Sequence, residues 1–311
     1  MAEGYTDRPH NMSEITPYVI TERDRIVQQI YTSNKCYFYD ACSFRRHANL
    51  GSEENEYILK YIKSQSGIII ITRCILMELA SNSGIINQEY VKYIERINEL
   101  GIKVLVIYEE DLFYVLSMCF ATNEMINSYL CWAVRMVNNP VSTIKETLEQ
   151  YANIHNEVVK KRNLDNSGVY NRFFQTVRNN KESGDNLGEE LLGICLHILS
   201  NLPGEEDGKF CVITDDKGAC GRIDTLFKDT RTQYQGKKIC IFSTPKLVQI
   251  LYREKILQER THIINILNVG TSGNVKVLGT RLYDLRNTEI SVSCEDLAEL
   301  IMQPNGVNIA F

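Results

Sequence analysis

Three short apolar runs constrain this chain more than any other feature: KCYFYD at 35–40, GIIII at 67–71 and KVLVIY at 103–108. The isoleucine run is β-branched and unbroken. That pattern belongs to a strand buried on both faces, because a strand with one wet face would alternate apolar and polar residues. Between the runs lie segments with helical character at about 53–64, in RCILMELAS, and at 87–100, where Gly101 supplies a C-terminal stop. The order strand, helix, strand, helix, strand predicts a parallel α/β sheet.

The remaining segments extend this plan. Residues 17–33 place Ile20, Ile26, Val27, Ile30 and Tyr31 close to helical spacing, which predicts an N-terminal helical segment over 1–35. Residues 109–182 break the rhythm and read as a run of helices, one starting near Pro140. The sheet pattern resumes with a helix at about 187–201, the strand Phe210 to Ile213, and KICIF at 238–242. STPKLVQILYREKIL then opens a helix with Ser243 or Thr244 as cap and Pro245 in its first turn. The loop NVGTSGN reads as a flexible turn, without the context of a phosphate-binding loop. It leads to a tail with a strand near 275–278, a helix from Ser293 and a last strand VNIAF.

Composition narrows the function classes. A length of 311 residues allows one large or two small domains. No run of about 18 apolar residues marks a membrane span, and the first residues lack a charged-then-apolar export pattern. The ten cysteines form no CxxC pair and several sit in apolar runs, which predicts reduced, buried thiols and a cytoplasmic protein. The five histidines form no ligand-spaced pair, so a zinc site or serine triad has little support. A net charge of -5 means that any nucleic-acid contact must come from a local basic face.

The acids fall in a pattern. Asp40 ends the first strand, and Glu78 lies in the helix after the second. Asp185, Glu189 and Glu190 cluster where the 187–201 helix begins. Asp215 and Asp216 end the fourth strand. In an open parallel sheet, ligands bind beyond the C-terminal strand ends. Four acidic clusters from distant sequence can therefore converge on one edge, and oxygen-rich clusters suit Mg²⁺ or Mn²⁺. Competing roles exist for some of them. Asn186-x-x-Glu189 is also a capping box, Glu190 can face solvent, and one of the adjacent aspartates can cap the following turn.

These segments resemble the PIN-domain nucleases. YFYDACSF resembles the family's first motif, IITRCILMELA its second, DNLGEELLGICL its third and VITDDKGA its fourth. KKICIFSTPKLVQIL resembles the last strand and helix of the same domain. The resemblance implies a three-layer α/β/α domain over 36–255 with a central parallel sheet. The helical insertion at about 109–182 and a small α/β extension at 256–311 lie outside the usual pattern. The family's usual small hydroxyl-bearing residue after the first aspartate is Ala41 here, with Ser43 two positions on. The resemblance also implies an Mg²⁺- or Mn²⁺-dependent endoribonuclease, such as a toxin or defence effector, with Asp40, Glu78, Glu189 and Asp216 as catalytic metal ligands. Asp185 competes with Glu189 for the third position, and Asp215 assists or replaces Asp216. Single-stranded RNA would be the substrate, and an inhibitory protein partner or homo-oligomer is compatible with the plan.

Arg45 and Arg46, one turn beyond Asp40, are expected to meet RNA. So are Arg172 and Arg178 in YNRFFQTVRNNK, where they and Lys181 mix with Tyr170, Phe173 and Phe174 as base-stacking surfaces do, although Phe173 and Phe174 are more often core than platform. The main alternative is a PIN-like scaffold that has lost catalysis and binds RNA or protein. A haloacid-dehalogenase phosphohydrolase is disfavoured because Cys42 stands where a second aspartate is required. A dinucleotide binder is disfavoured by the lack of GxGxxG after the first strand.

Overall fold

The computed structural model describes residues 5, 7–80, 83–137, 142–228 and 236–311. Pro140 lies outside them. The central sheet has six parallel strands: β1 (Val19–Ile20), β2 (Lys35–Tyr39), β3 (Gly67–Thr72), β4 (Val104–Ile107), β5 (Phe210–Ile213) and β6 (Cys240–Phe242). Their spatial order is β1-β4-β3-β2-β5-β6. From β2 the chain winds outward through β3 to β4, then returns to place β5 on the other side of β2. The neighbours β2 and β5 pair in register from Cys36↔Phe210 to Tyr39↔Ile213. The winding reverses there, and at such a switch point the C-terminal ends of the strands are where open parallel sheets bind ligands.

Successive side chains of a strand point to opposite faces, and both faces are covered. Tyr37, Tyr39, Ile69 and Ile71 enter one core, whereas Cys36, Phe38, Ile68 and Ile70 enter the other. Each isoleucine buried this way contributes about 1.5–3 kcal/mol, which explains the unbroken run in β3. The first layer includes helices Ala41–Ala48, Ser52–Ser64, Gln88–Glu99 and Thr244–Arg253. The second includes helices Arg23–Thr32, Leu187–Ser200 and Lys217–Lys228.

Three expectations change. The N-terminal segment is not wholly helical: after a 3₁₀ turn at Thr16–Tyr18, Val19 and Ile20 pair with Val104 and Leu105 as an edge strand. Two adjacent β-branched residues after the Pro17 turn favour that extended backbone. The insertion over 109–182 is helical, but much of it forms the second core layer. Leu130, Val134, Tyr170, Phe173, Phe174 and Val177 are buried there. The residues proposed to stack on bases therefore pack inside the protein. The tail is also richer than expected, adding helix Arg260–Asn268 and a three-stranded antiparallel sheet. Its strands are β7 (Asn274–Thr280), β8 (Thr288–Ser293) and β9 (Asn308–Ile309), in the order β8-β7-β9. Val275, Val277 and Ile290 join the first core layer, while Lys276 faces out.

Candidate carboxylate site at the sheet edge

Asp40 follows β2 directly and caps helix Ala41–Ala48. One carboxylate oxygen accepts the Ala41 N–H at 2.7 Å. The other accepts the Thr214 hydroxyl at 2.8 Å and the Cys42 thiol at 2.9 Å. Thr214 itself follows β5, so this bond ties the two central strand ends together. Asp40 is 4% exposed. Burial raises its pKa above the usual carboxylate value against the pull of these three donors, and the charge of Asp216 adds to the rise.

Glu78 reaches the same edge from helix Arg73–Ala80, after β3. Its carboxylate lies 3.0 Å from the Lys181 ammonium. Burial raises its pKa, Lys181 opposes that, and Asp40 adds repulsion. Gly188, in the first turn of helix Leu187–Ser200, makes room for this carboxylate: a Cβ there would stand 2.8 Å from Cδ of Glu78. Gly188→Ala gains about 1 kcal/mol of helix propensity, while the displaced acid is the movable end of a side chain. We expect little change in melting temperature but a weaker stabilisation by Mn²⁺. Titrating Mn²⁺ against both proteins by thermal shift checks this, and an unchanged midpoint would remove Gly188 from the site.

Glu189 belongs to the same helical turn. Its carboxylate pairs with Arg222 at 3.0 Å, and Arg222 also donates to Asn186 Oδ1 at 2.7 Å. The expected capping box is absent, because the Asn186 side chain makes no cap hydrogen bond. Burial pushes the Glu189 pKa up to about 7; Arg222 lowers it, and Asp216, Asp40 and Glu78 raise it. All four acids expected to be catalytic thus share one electrostatic field. Asp216 also caps helix Lys217–Lys228 through the N–H groups of Gly218 at 2.5 Å and Ala219 at 3.1 Å.

The other acids do different work. Asp215 had been expected to assist in holding a metal, but both its oxygens are occupied. One accepts the Thr244 N–H at 2.6 Å. The other accepts the hydroxyls of Thr244 at 2.7 Å and Ser43 at 2.8 Å, with Arg46 at 3.4 Å. It is a clamp between β5 and the helices after β2 and β6. Buried His47 adds to it, its ring bonding Tyr39 at 2.8 Å and Thr244 at 2.9 Å. Burial lowers the His47 pKa to about 4, which keeps the ring neutral. Asp185 forms a turn, accepting N–H groups of Glu182 and Leu187, and it pairs with Lys181. Glu190 does not face solvent. It is 2% exposed and accepts from Ser142, Thr143 and Ile144 at the start of helix Thr143–Gln150.

The four arginines expected at RNA separate. Arg45 donates to the Glu78 backbone carbonyl and Arg46 lines the edge beside Asp215. Arg172 makes a two-pronged pair with Glu157, at 3.0 and 2.7 Å. Arg178 cannot meet RNA: its side chain is 1% exposed and pairs with Glu109, Glu110 and Asp7. Sequence reading passed over Arg222 and Gly188, and it placed Lys181 in the basic segment expected at RNA rather than on the acids. The four-residue spacing of Lys181 and Asp185 was the one available signal, since that spacing on a helix or turn brings opposite charges together.

Hard carboxylate oxygens suit Mg²⁺ or Mn²⁺. Among the described residues, no three metal-ligating side chains converge on one point. Glu78 is turned to Lys181 and Glu189 to Arg222, so these cations carry the compensating charge. The donor chemistry fits a divalent cation, and occupation requires both acids to leave their partners. Compared with family models, curated proteins and solved structures, the chain has no significant match.

Proposed function

We propose that this chain is a metal-dependent nuclease that hydrolyses phosphodiester bonds in single-stranded RNA. One observation carries the reading. Asp40, Glu78, Glu189 and Asp216 arrive from four separate segments near the C-terminal ends of β2 and β5, and the first three each feel the charge of another of the four. The four acids outnumber the two cations, Lys181 and Arg222, that pair with them. Such an excess is costly without a further cation, because like charges in a partly buried site repel.

Mg²⁺ or Mn²⁺ held by these four acids would supply Lewis acidity toward a phosphoryl oxygen. The chain's own residues do the rest. Thr214 and the Ala41 N–H fix the Asp40 carboxylate in place. Glu189 is held beside Arg222 at 3.0 Å until the ion takes it. Arg222 beside it can stabilise negative charge on the phosphate. The test is cleavage of mixed-sequence single-stranded RNA by purified protein with Mn²⁺ or Mg²⁺, beside an EDTA control. Failure to cut with either ion overturns the reading.

The alternative is a scaffold without catalysis, and Lys181 favours it. Its ammonium, 2% exposed at the side chain, sits on Glu78 of the cluster and on Asp185, as a permanent counter-ion would. Lys181→Met separates the two readings. A nuclease whose metal displaces Lys181 should bind Mn²⁺ more tightly in this variant. A scaffold should lose stability without gaining metal affinity.

Glu189 also predicts a pH effect in EDTA. Its folded-state pKa lies above the ordinary 4.5. The folded protein then binds the extra proton, and stability is lost as pH rises from 4.5 to about 7. Glu189→Gln should flatten that decline relative to wild type, as read from melting temperature against pH. Parallel curves would show that Glu189 titrates normally.

A further inference from the structure

Beside the acid cluster lies a second depression of about 400 Å³, between the tail and the same sheet edge. Ser243, which follows β6, and Asp215, which follows β5, form its inner wall. Three cations reach it from three separate segments: Arg46 after β2, Lys217 after Asp216, and Lys276 on β7. Its size falls in the range of small-ligand sites, roughly 300–1,000 Å³.

The wall is built around these cations. Gly270, in the loop NVGTSGN, has φ +71, where side chains are strained. A Cβ there would stand 2.9 Å from Nε and 3.0 Å from Cγ of Arg46. The loop therefore closes directly on the arginine stem and is no idle turn. Two acids also line the depression. Asp215 is occupied by the donors described above. Glu289, on β8, holds the Lys217 ammonium at 2.5 Å while half exposed. Its carboxylate stands where an incoming anion would be received, and it can swing away.

Lys217 also borders a neighbouring pocket of about 470 Å³ that contains Glu189 and Arg222. One lysine therefore joins the acid cluster to the cationic depression. We propose that the depression is a phosphate subsite, formed by Arg46, Lys217 and Lys276, that receives a backbone phosphate of single-stranded RNA flanking the scissile bond. This rests on the reading of the acid cluster as a phosphodiester-cleaving site. It gives the C-terminal extension a role in substrate binding. Glu289 is the internal competitor that substrate displaces.

The test is fluorescence anisotropy of a labelled single-stranded RNA 12-mer in EDTA, where cleavage cannot occur. Lys276→Ala should weaken binding about fivefold and reduce the slope of log affinity against log salt by about 0.7, the value for one lost phosphate contact on a single strand. Lys276→Arg should restore both. Glu289→Gln, which frees Lys217, should tighten binding about threefold. Lys276 is exposed, so circular dichroism of the variant should match wild type. An unchanged affinity and salt slope in Lys276→Ala, or no binding by wild type, overturns the subsite. A thermal shift with inorganic phosphate that is lost in Lys276→Ala, with RNA affinity untouched, assigns the pocket to free phosphate and also overturns it. Lack of cleavage with Mn²⁺ while the Lys276 dependence persists would instead sink the nuclease reading alone.

Discussion

Arg178→Met should lower the stability of the protein by about 3–5 kcal/mol, the usual cost of removing one partner from a buried ion pair. For a chain of this size that is a fall in melting temperature of roughly 5–8 °C. The guanidinium touches Glu109 at 2.6 Å, Glu110 at 2.6 and 2.8 Å, and Asp7 at 2.9 Å. Glu109 is fully buried and also accepts the Cys74 N–H at 2.8 Å. Burial raises the Glu109 pKa, and Arg178 is the leading force that lowers it. Without Arg178 that carboxyl must take a proton or stay charged and unpaired, and either is costly. Arg178→Lys should fall between, because one ammonium cannot reproduce the planar fork. The double variant Arg178→Met with Glu109→Met should lose less than Arg178→Met alone, since it removes both charges. A double loss equal to the sum of the Arg178→Met and Glu109→Met losses would mean that the pair is not coupled.

The second large effect concerns Asp40. Asp40→Asn should reduce RNA cleavage by at least about a hundredfold, beyond what loss of a supporting contact alone costs. It should also abolish the stabilisation by Mn²⁺, which amounts to about 2.7 kcal/mol at a hundred times the dissociation constant. The fold should survive. The asparagine oxygen can still accept the Ala41 N–H, and the Thr214 hydroxyl can rotate to accept from the new amide. In EDTA the variant should be no less stable than wild type, because burial already disfavours the charge on Asp40. Cleavage equal to wild type would remove Asp40 from the site.

The central strands were readable because burial on both sides leaves an unambiguous apolar run, as in Ile68–Ile71. The placement of Asp40 and Asp216 at the sheet edge was readable from the strands they follow, although each also caps the helix after it. Asp215 was not separable from Asp216 by sequence. Its role depends on Ser43, 172 residues away, and on Thr244, 29 residues on. Arg178 has the same difficulty. In sequence it resembles any helical surface arginine, and its burial follows from Glu109, 69 residues earlier. Phe173 and Phe174 allowed either a core or a stacking role in sequence, and the core role holds because the insertion forms a core layer. The strand β8, TEISVS, passed unnoticed because its outward residues are polar and its one buried side chain is Ile290.

The sheet order also sets a timetable. The Thr214 hydroxyl that secures Asp40 comes 174 residues after it. At about 5–20 residues per second, a ribosome needs roughly 10 to 35 s to make that interval. Until then β2 lacks its neighbour β5 and Asp216 has not been added to the chain, and Glu189 joins it only shortly before. Asp40 and Glu78 emerge early but cannot form the site by themselves. If the four acids form the proposed nuclease site, that site stays incomplete until Asp216 is made, about two-thirds of the way along the chain.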